Sequence, residues 1–420
     1  MSRELKYSGI PWIGDIPKDW KTKRLKNVGF LYGGLTGKSG DDFISEDDES
    51  CSYMRFIPFT NIFNNDVINP NQLYKVRIEE GEEQNLVSKN DILFLMSSED
   101  YDGVGKPAII EQEISNLGLN SFCKGFRITD NDTFPKFMFY KLNSHIMREL
   151  VRQEAKGFIR INLRQDKLSA CPIFLPSLSE QQKITSFLDK KCAEVDEMVA
   201  LQEKMIEELK AYKQSVITEA VTKGLNPNAP MKDSGIEWIG EIPEHWNIAR
   251  LKYYATIDSG DAISNEDINN EGEYPVYGGG EIMGYFSNYN TVEDKIIIGR
   301  VGARCGCITM PNQKCWASDN ALVLNSSMPL KYTYYLLIAV NLNNLNTSNA
   351  QPLITSTKVK NVYIPINSTS EQQQIANYLD DKCSAIDNII SIKQQKIEEL
   401  KDYKKSIIYE YVTGKKEVED

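Results

Sequence analysis

The chain has 420 residues, of which 41% are hydrophobic, so it is long enough to form two or more domains with substantial cores. Its formal net charge of −11 argues against a protein that binds nucleic acid by overall charge attraction, because such proteins carry clustered lysines and arginines. No apolar run approaches the roughly 20 residues of a membrane span and the first residues lack the apolar core of a signal peptide, so we expect a soluble, cytoplasmic protein with no membrane partner.

The first predicted element is a tryptophan-rich segment that occurs twice in the chain. Residues 9–26 read GIPWIGDIPKDWKTKRLK, and residues 235–252 read GIEWIGEIPEHWNIARLK. This alignment pairs Trp12 with Trp238 and Trp20 with Trp246. Because indole rings fill large core volumes, we interpret these tryptophans as structural residues that hold the first strand of each copy on its core.

Between the repeated parts lies a first unlike segment, residues 26–178. It contains a glycine pair at 33–34, a short apolar strand at 91–95, an aromatic helix that begins at Pro135 and a strand within residues 171–176. Short strands mixed with one or two helices predict an α+β domain rather than a regularly wound sheet.

Residues 141–167 predict a basic patch inside this acidic chain, since they contain seven basic side chains and three acidic ones. Residues 156–160 read KGFIR, which combines charge, a flexible glycine and planar groups, and so suits contacts to phosphates and base edges. The candidate DNA-contacting residues here are Lys156, Arg160, Arg164 and Lys167. The alternative is a basic face that only meets solvent.

Residues 179–224 and 370–414 predict two long helices, because their apolar residues alternate at spacings of four and three as in a coiled-coil seam. We expect Ser179 and Ser370 to cap them and the seam to hold the polar residues Gln202 and Lys393. Narrow amphipathic helices need a partner, so we predict an antiparallel pair. The predicted interface residues are Leu188, Val195, Ile206, Leu209, Leu379, Ile386, Ile397 and Leu400. The alternative is a pair of helices that serve only dimerisation.

The second unlike segment, residues 252–369, keeps the order of features of the first. A glycine run at 278–280 precedes an apolar strand at 295–299, an aromatic helix that begins at Pro329 and a strand in NVYIPI. Polar side chains in its loops suit DNA contact, and one of them, Lys358, aligns with Lys167. The candidate residues are Arg300, Arg304, Asn320, Gln351, Thr355, Lys358 and Lys360.

Two motifs resemble nucleotide or metal sites but lack required residues. The string from Gly37 to Ser39 would need a glycine five residues earlier to form a phosphate-binding loop, and Tyr32 stands there. Cys305, Cys307 and Cys315 would supply three zinc ligands where a structural site needs four. The eight cysteines are scattered and would remain thiols in a reducing compartment. We therefore expect no catalytic residue, metal or cofactor in this chain.

The duplicated WIGxIPxxW segments, the helices that begin with SEQQ, and the strings GRVGARCG and WASDNALVL together resemble the specificity subunit of type I restriction-modification systems over essentially the full length. The resemblance implies an α+β fold in which two target-recognition domains are separated by two long antiparallel coiled-coil helices, with a pseudo-two-fold internal repeat. The target-recognition domains would be residues 1–178 and 225–369. The central and C-terminal spacer helices would be residues 179–224 and 370–420.

The resemblance further implies that each domain reads half of a bipartite, asymmetric double-stranded DNA target. The helices would set the spacer and dock two methyltransferase subunits, with restriction endonuclease/translocase subunits outside them. Those partners would carry adenine methylation and ATP-dependent DNA cleavage and would hold S-adenosylmethionine, ATP and Mg. The main alternative is a coiled-coil scaffold or adaptor without DNA specificity, which the acidic charge would fit. A stand-alone methyltransferase or ATPase lacks its motifs.

Overall fold

The structure is a computed structural model that describes residues 3–11, 13–44, 52–346 and 352–418, so Trp12 and Gln351 lie outside the described residues. It is α+β and divides into two compact units. Unit 1 comprises Met1–Ala200 and Ile397–Asp420, and unit 2 comprises Leu201–Lys396. Each unit therefore combines one of the unlike segments with parts of both long helices. The division of the sequence into four consecutive segments stays a prediction.

Two of the α-helices are much longer than the others. The described residues form the helices α1 Phe59–Asn64, α2 Pro135–Asn143, α3 His145–Glu154, α4 Gln165–Ala170, α5 Leu178–Lys223, α6 Leu330–Val340, α7 Ser356–Lys360 and α8 Thr369–Val412. With 46 residues, α5 is about 69 Å long. No helix within the described ranges is long and apolar enough to cross a membrane. The aromatic helix expected from Pro135 is in fact α2 and α3, because the backbone at Ser144 is extended.

The described residues of unit 1 form two four-stranded sheets and three two-stranded ones. Its strands are β1 Leu5–Tyr7, β2 Asp15–Pro17, β3 Lys21–Arg24, β4 Gly29–Gly33, β5 Phe43–Ile44, β6 Tyr53–Ile57, β7 Tyr74–Arg77, β8 Ile92–Leu95, β9 Ser97–Ser98, β10 Pro107–Ile109, β11 Leu117–Leu119, β12 Cys123–Ile128, β13 Ile161–Asn162 and β14 Pro172–Leu175. The central sheet has the order β10-β8-β12-β4, and the second has the order β11-β6-β7-β5. Strand β8 is buried throughout, as its run of apolar residues predicts.

Unit 2 repeats this plan with fewer strands. Its strands are β15 Met231–Asp233, β16 Glu241–Pro243, β17 Asn247–Arg250, β18 Ala255–Ser259, β19 Tyr274–Tyr277, β20 Ile282–Phe286, β21 Ile296–Gly299, β22 Ile308–Thr309, β23 Trp316–Ala317, β24 Ala321–Ser326 and β25 Tyr363–Ile366. The sheet β22-β21-β24-β18 has the order and antiparallel pairing of the central sheet of unit 1. Short 3-10 turns complete the two units at Leu25–Asn27, Gly40–Asp42, Leu251–Tyr253, Gly302–Arg304 and Leu342–Leu345.

Each unit places a buried tryptophan beside the first turn of a long helix. In unit 1, Trp20 is 1% exposed and its indole N–H donates to the Glu180 carboxylate at 3.3 Å. In unit 2, Trp246 is fully buried and its indole N–H donates to Glu371 at 3.2 Å. Both tryptophans are therefore core residues, which agrees with the structural role that the sequence predicts for them.

The same tryptophans adjoin the end of the other long helix. Gly414, after α8, lies against Trp20 in unit 1, and Gly224, after α5, lies against Trp246 in unit 2. Both glycines have positive φ angles of 72° and 75°, the left-handed conformation that commonly ends a helix. Within each unit, the start of one long helix and the end of the other thus meet at one tryptophan, so the two run antiparallel there.

The caps of the long helices lie two residues before the expected serines. The Ser177 hydroxyl accepts the Glu180 backbone N–H at 3.2 Å, and the Ser368 hydroxyl accepts that of Glu371 at 3.2 Å. Ser179 and Ser370 therefore lie inside the first turn, and the prediction that they are caps was wrong. A capping box is possible from either serine of each helix. The helices begin at the earlier serine because Glu180 and Glu371, three residues after it, bind the tryptophans.

Seven of the eight predicted seam residues are buried. The exposed fractions are 0% for Leu188, 2% for Val195, 6% for Ile206, 0% for Leu379, 6% for Ile386, 6% for Ile397 and 8% for Leu400, while Leu209 is half-buried. In unit 2 the Lys393 ammonium donates to the Gln202 side chain at 3.1 Å, so the two polar seam positions meet. Reciprocal ion pairs join Lys404 to Asp196 in unit 1 and Lys213 to Asp387 in unit 2, both at 2.7 Å.

Candidate nucleic-acid interface

Three loops meet at the end of the central strand in each unit. In unit 1, the Met96 N–H after β8 donates to the Phe122 carbonyl at 3.2 Å, and the Met96 carbonyl accepts the Leu163 N–H at 2.8 Å. In unit 2, the N–H of Arg300, after β21, donates to the Asn320 carbonyl at 3.0 Å, and the Arg300 carbonyl accepts the Ile354 N–H at 2.9 Å. The two units therefore hold one loop scaffold and place different side chains on it.

In unit 1 these loops border an aromatic cavity of about 460 Å³. Its walls include Phe59 and Phe63, whose rings are stacked with centroids 6.0 Å apart, and Phe122. The Arg160 guanidinium lies over the Phe122 ring, 5.3 Å from its centroid. Asn120 adds an amide to the same cavity, and Glu99 and Asp100 add carboxylates. A cation on an aromatic face beside amides and acids suits hydrogen bonding to base edges.

The loop at residues 156–162 carries two exposed cations of the predicted basic segment. The backbones of Lys156 and Asn162 exchange hydrogen bonds of 3.0 and 2.9 Å, which close the loop, and Gly157 has a φ of 152°. Lys156 and Arg160 are both exposed. At the loop tip, Phe158 is fully exposed and Ile159 is 86% exposed.

The other basic residues of 141–167 do not form a patch. Lys141 is 2% exposed and Arg148 is 7% exposed, because both lie on the inner faces of α2 and α3. Arg164 pairs with Asp166 at 2.9 Å, and Lys167 pairs with Glu154 at 2.7 Å. The expectation of a basic patch across this stretch was wrong, because charge along the sequence does not say which way a helical side chain points.

Arg300 occupies a unit 2 position of the shared scaffold, and Arg304 follows it at the end of the 3-10 turn Gly302–Arg304. Arg300 is half-buried, and its Nε is buried without a hydrogen-bond partner among the described residues, while its Nη1 is 3.4 Å from the Ser259 hydroxyl. Arg304 is exposed and pairs with Glu281. Asn320 is also exposed, at the position that Phe122 has in unit 1. A half-exposed guanidinium next to an exposed amide can bind base edges or phosphates.

The remaining candidates of unit 2 lie around α7. The Thr355 hydroxyl accepts the Lys358 backbone N–H and so caps this short helix. The Lys358 ammonium donates to the Leu345 carbonyl at 3.0 Å, and Lys360 is half-buried. Thr355 and Lys358 therefore each have a local structural contact, and Arg300, Arg304 and Asn320 are the stronger candidates for DNA.

Sequence reasoning missed two members of the unit 1 site, Phe122 and Asn120. Phe122 is 53% exposed and lies 38 residues before Arg160 in the sequence, so no local pattern links them. The cysteines considered as zinc ligands are free thiols, with Cys305 and Cys315 buried and Cys307 exposed. Among the residues that the structure describes, no group of three or more histidines, cysteines or acids is placed to hold a metal ion.

The sequence and the fold are both similar to known proteins. A family model described as "Type I restriction modification DNA specificity domain" matches residues 17–211 and 243–402. A protein of Methanocaldococcus jannaschii, provisionally described as the type I restriction enzyme MjaX specificity subunit, is 28% identical, with 96% of this chain and 95% of that protein covered. The MjaVIII specificity subunit of the same organism is 24% identical over 95% and 93% of the two chains.

Two solved structures share the fold. A chain from a study of complex assembly and conformational transition of the type I R-M system has a TM-score of 0.72 at 17% identity, covering 95% of this chain and 99% of that one. The HsdS subunit from Thermoanaerobacter tengcongensis has a TM-score of 0.51 at 17% identity, covering 95% and 98%. At these identities the likeness concerns the fold alone.

Proposed function

Because the chain belongs to the type I restriction-modification DNA specificity family, we propose that its two units read the two halves of a bipartite, asymmetric DNA target. The observation that carries the proposal is the shared loop scaffold with unlike side chains. One unit presents Phe122 and Arg160 where the other presents Asn320 and a different loop. The same backbone scaffold with different side chains suits the recognition of two different base sequences.

The base-reading residues that we propose lie on or beside the scaffold. In unit 1 the base-reading residue is Arg160, while Lys156 binds a phosphate and Arg164 and Lys167 bind phosphates once their acids release them. In unit 2 they are Arg300, Arg304 and Asn320, with Gln351, Thr355, Lys358 and Lys360 as further contacts. Arginine can bind guanine through two hydrogen bonds and asparagine can bind adenine in the same way, so these side chains can discriminate bases.

We also assign α5 and α8 to the role of a spacer between the two half-sites. Their antiparallel pairing inside each unit and the reciprocal pairs Lys404 to Asp196 and Lys213 to Asp387 support this role. A repeated sequence can offer one partner type two similar surfaces. We therefore propose that two methyltransferase subunits bind, with restriction endonuclease/translocase subunits added to them.

In this proposal the chain itself is not a catalyst. Adenine methylation and ATP-dependent DNA cleavage belong to the partner subunits, which would hold S-adenosylmethionine, ATP and Mg. The chain determines where they act, and it would do so in the cytoplasm, where the host DNA is.

The spacer role can be tested by inserting one heptad into each of α5 and α8. Seven residues add about 10 Å of helix, which corresponds to about 3 base pairs of B-DNA. We expect sequencing of modified adenines to show both half-sites unchanged and the spacer between them lengthened by up to that number. A heptad in α8 alone is the control, because it breaks the seam. An unchanged spacer in the double insertion would contradict the proposal.

A further inference from the structure

The tip of the loop at 156–162 exposes two large apolar side chains. Phe158 is 103% exposed and Ile159 is 86% exposed, which makes them the two most exposed large hydrophobic residues in the described part of the chain. Exposed apolar side chains at such a tip mark a surface that becomes covered on binding.

The tip is held on a rigid base. Besides the two backbone bonds between Lys156 and Asn162, the Asn162 side chain donates to the Arg160 carbonyl at 3.1 Å. Ile161, two residues after the tip, is 4% exposed and pairs with Ser98 in the sheet β13-β9. A side chain that enters a base stack needs such a fixed base, because a flexible loop would lose conformational entropy on insertion.

Cations flank the apolar tip on both sides. Lys156 and Arg160 are exposed, and residues 156–163 contain no acidic residue. The Arg160 guanidinium is held over the Phe122 ring. The nearby acids Glu99 and Asp100 line the cavity next to the loop. An apolar pair between two cations is complementary to a base step between its phosphates.

We infer that Phe158 and Ile159 form a wedge that enters the duplex between two base pairs of the first half-site and unstacks them, while Lys156 binds a phosphate beside the opened step and Arg160 hydrogen-bonds a base edge next to it. This inference rests on the proposed function, since it needs unit 1 to bind DNA. It gives the half-site a second source of specificity, because some base steps unstack more readily than others. A protein partner covering the tip is the competing occupant.

The test uses the full chain with its cognate methyltransferase subunits and target duplexes that carry 2-aminopurine at successive positions of the first half-site. We expect fluorescence to rise several-fold at one base step other than the methylated adenine, because unstacking relieves the quenching of that base. The double variant Phe158→Ala/Ile159→Ala should lose this rise. Phe158→Leu should retain most of it, and Leu5→Ala, which removes an apolar side chain that is 54% exposed on β1, should leave it unchanged.

An affinity measurement on the same complexes checks the energetics. An abasic site at the opened step removes part of the unstacking cost, so the wild type should bind that duplex about tenfold more tightly than the intact one. The double variant should show no such gain.

The outcomes separate the wedge from the function on which it rests. Sequence-specific binding without a brightened step, or a brightened step that survives the double variant, overturns the wedge and leaves the proposed function standing. A double variant that binds DNA normally but loses its methyltransferase subunits assigns the tip to a protein partner and also overturns the wedge. Absence of any sequence preference in the wild type overturns both.

Discussion

Lys141 provides a test of how unit 1 is held together, because it is a buried cation in the core. Its ammonium donates to the Val412 carbonyl at the end of α8 at 2.8 Å. It also faces the ring of Trp20 at 5.3 Å. In unit 2, Leu336 occupies the same position of the aromatic helix and is fully buried. The substitution Lys141→Leu therefore places in unit 1 the residue that unit 2 already accommodates.

The sign of the effect follows from the pKa of Lys141. Burial lowers this pKa from 10.5 to about 7. Below pH 7 both the folded and unfolded chains are protonated, and the wild type carries the full cost of a buried charge. Between about pH 7 and 10.5 the unfolded chain binds more protons than the folded one, so the free energy of unfolding rises with pH.

The magnitude follows from the same shift. The fall in the pKa of Lys141 corresponds to a change of at most about 5 kcal/mol in the free energy of unfolding between the two ends of this pH range, at about 1.4 kcal/mol per pKa unit. The aromatic faces and the Val412 carbonyl stabilise the charged form, so we expect a rise of about 3 kcal/mol. Lys141→Leu has no proton to lose and should not show this rise.

The assay is urea unfolding of the wild type and Lys141→Leu at several pH values between 6.5 and 10. Unfolding of unit 1 is followed by hydrogen–deuterium exchange in peptides that cover α2. Other titrating groups contribute equally to both proteins, so the difference between their free energies of unfolding isolates Lys141. A difference that stays constant over this pH range would refute the reasoning.

Three further predictions concern other contacts. Burial alone would raise the pKa of Glu371, but hydrogen bonds from its neighbours lower it to about 2. Glu371→Gln should therefore lower the free energy of unfolding by about 2 kcal/mol at pH 7 and by little at pH 2. Urea unfolding measures both losses, and equal losses at the two pH values would contradict this. Asp91 is 2% exposed and accepts bonds from Tyr32 and Arg127, so Asp91→Ala should cost about 3 kcal/mol and Tyr32→Phe about 1 kcal/mol in the same assay. Arg160→Ala should reduce discrimination at the first half-site by roughly tenfold or more in methylation assays and spare the second; equal losses at both would indicate impaired folding or assembly.

The long helices could be predicted from the sequence to within two residues, because their heptad spacing is a local property. The caps could not, since Ser177 and Ser179 both begin a capping pattern and only the contact of Glu180 with Trp20, far away in the sequence, decides between them. The buried strands β8 and β21 were predicted because a short, continuous apolar run is typical of a buried strand.

The candidate interface was harder to predict than the fold. Lys141 and Lys156 look alike in the sequence, yet one lies in the core and the other on an exposed loop, because the packing of α2 determines which side chains turn inward. The cavity beside Arg160 unites residues from four separate loops and helices, so no sequence spacing reveals it. The exposed loop itself was identifiable, because a glycine between charged and aromatic residues favours a tight turn.

The choice of DNA sequence by this chain is tested most directly by a map of modified adenines in host DNA with and without its gene. We expect one asymmetric motif, made of two unlike half-sites at a fixed separation, to be modified when the gene is present and unmodified when it is deleted. A set of modified motifs that does not change on deletion would contradict the claim that this chain selects the DNA sequence.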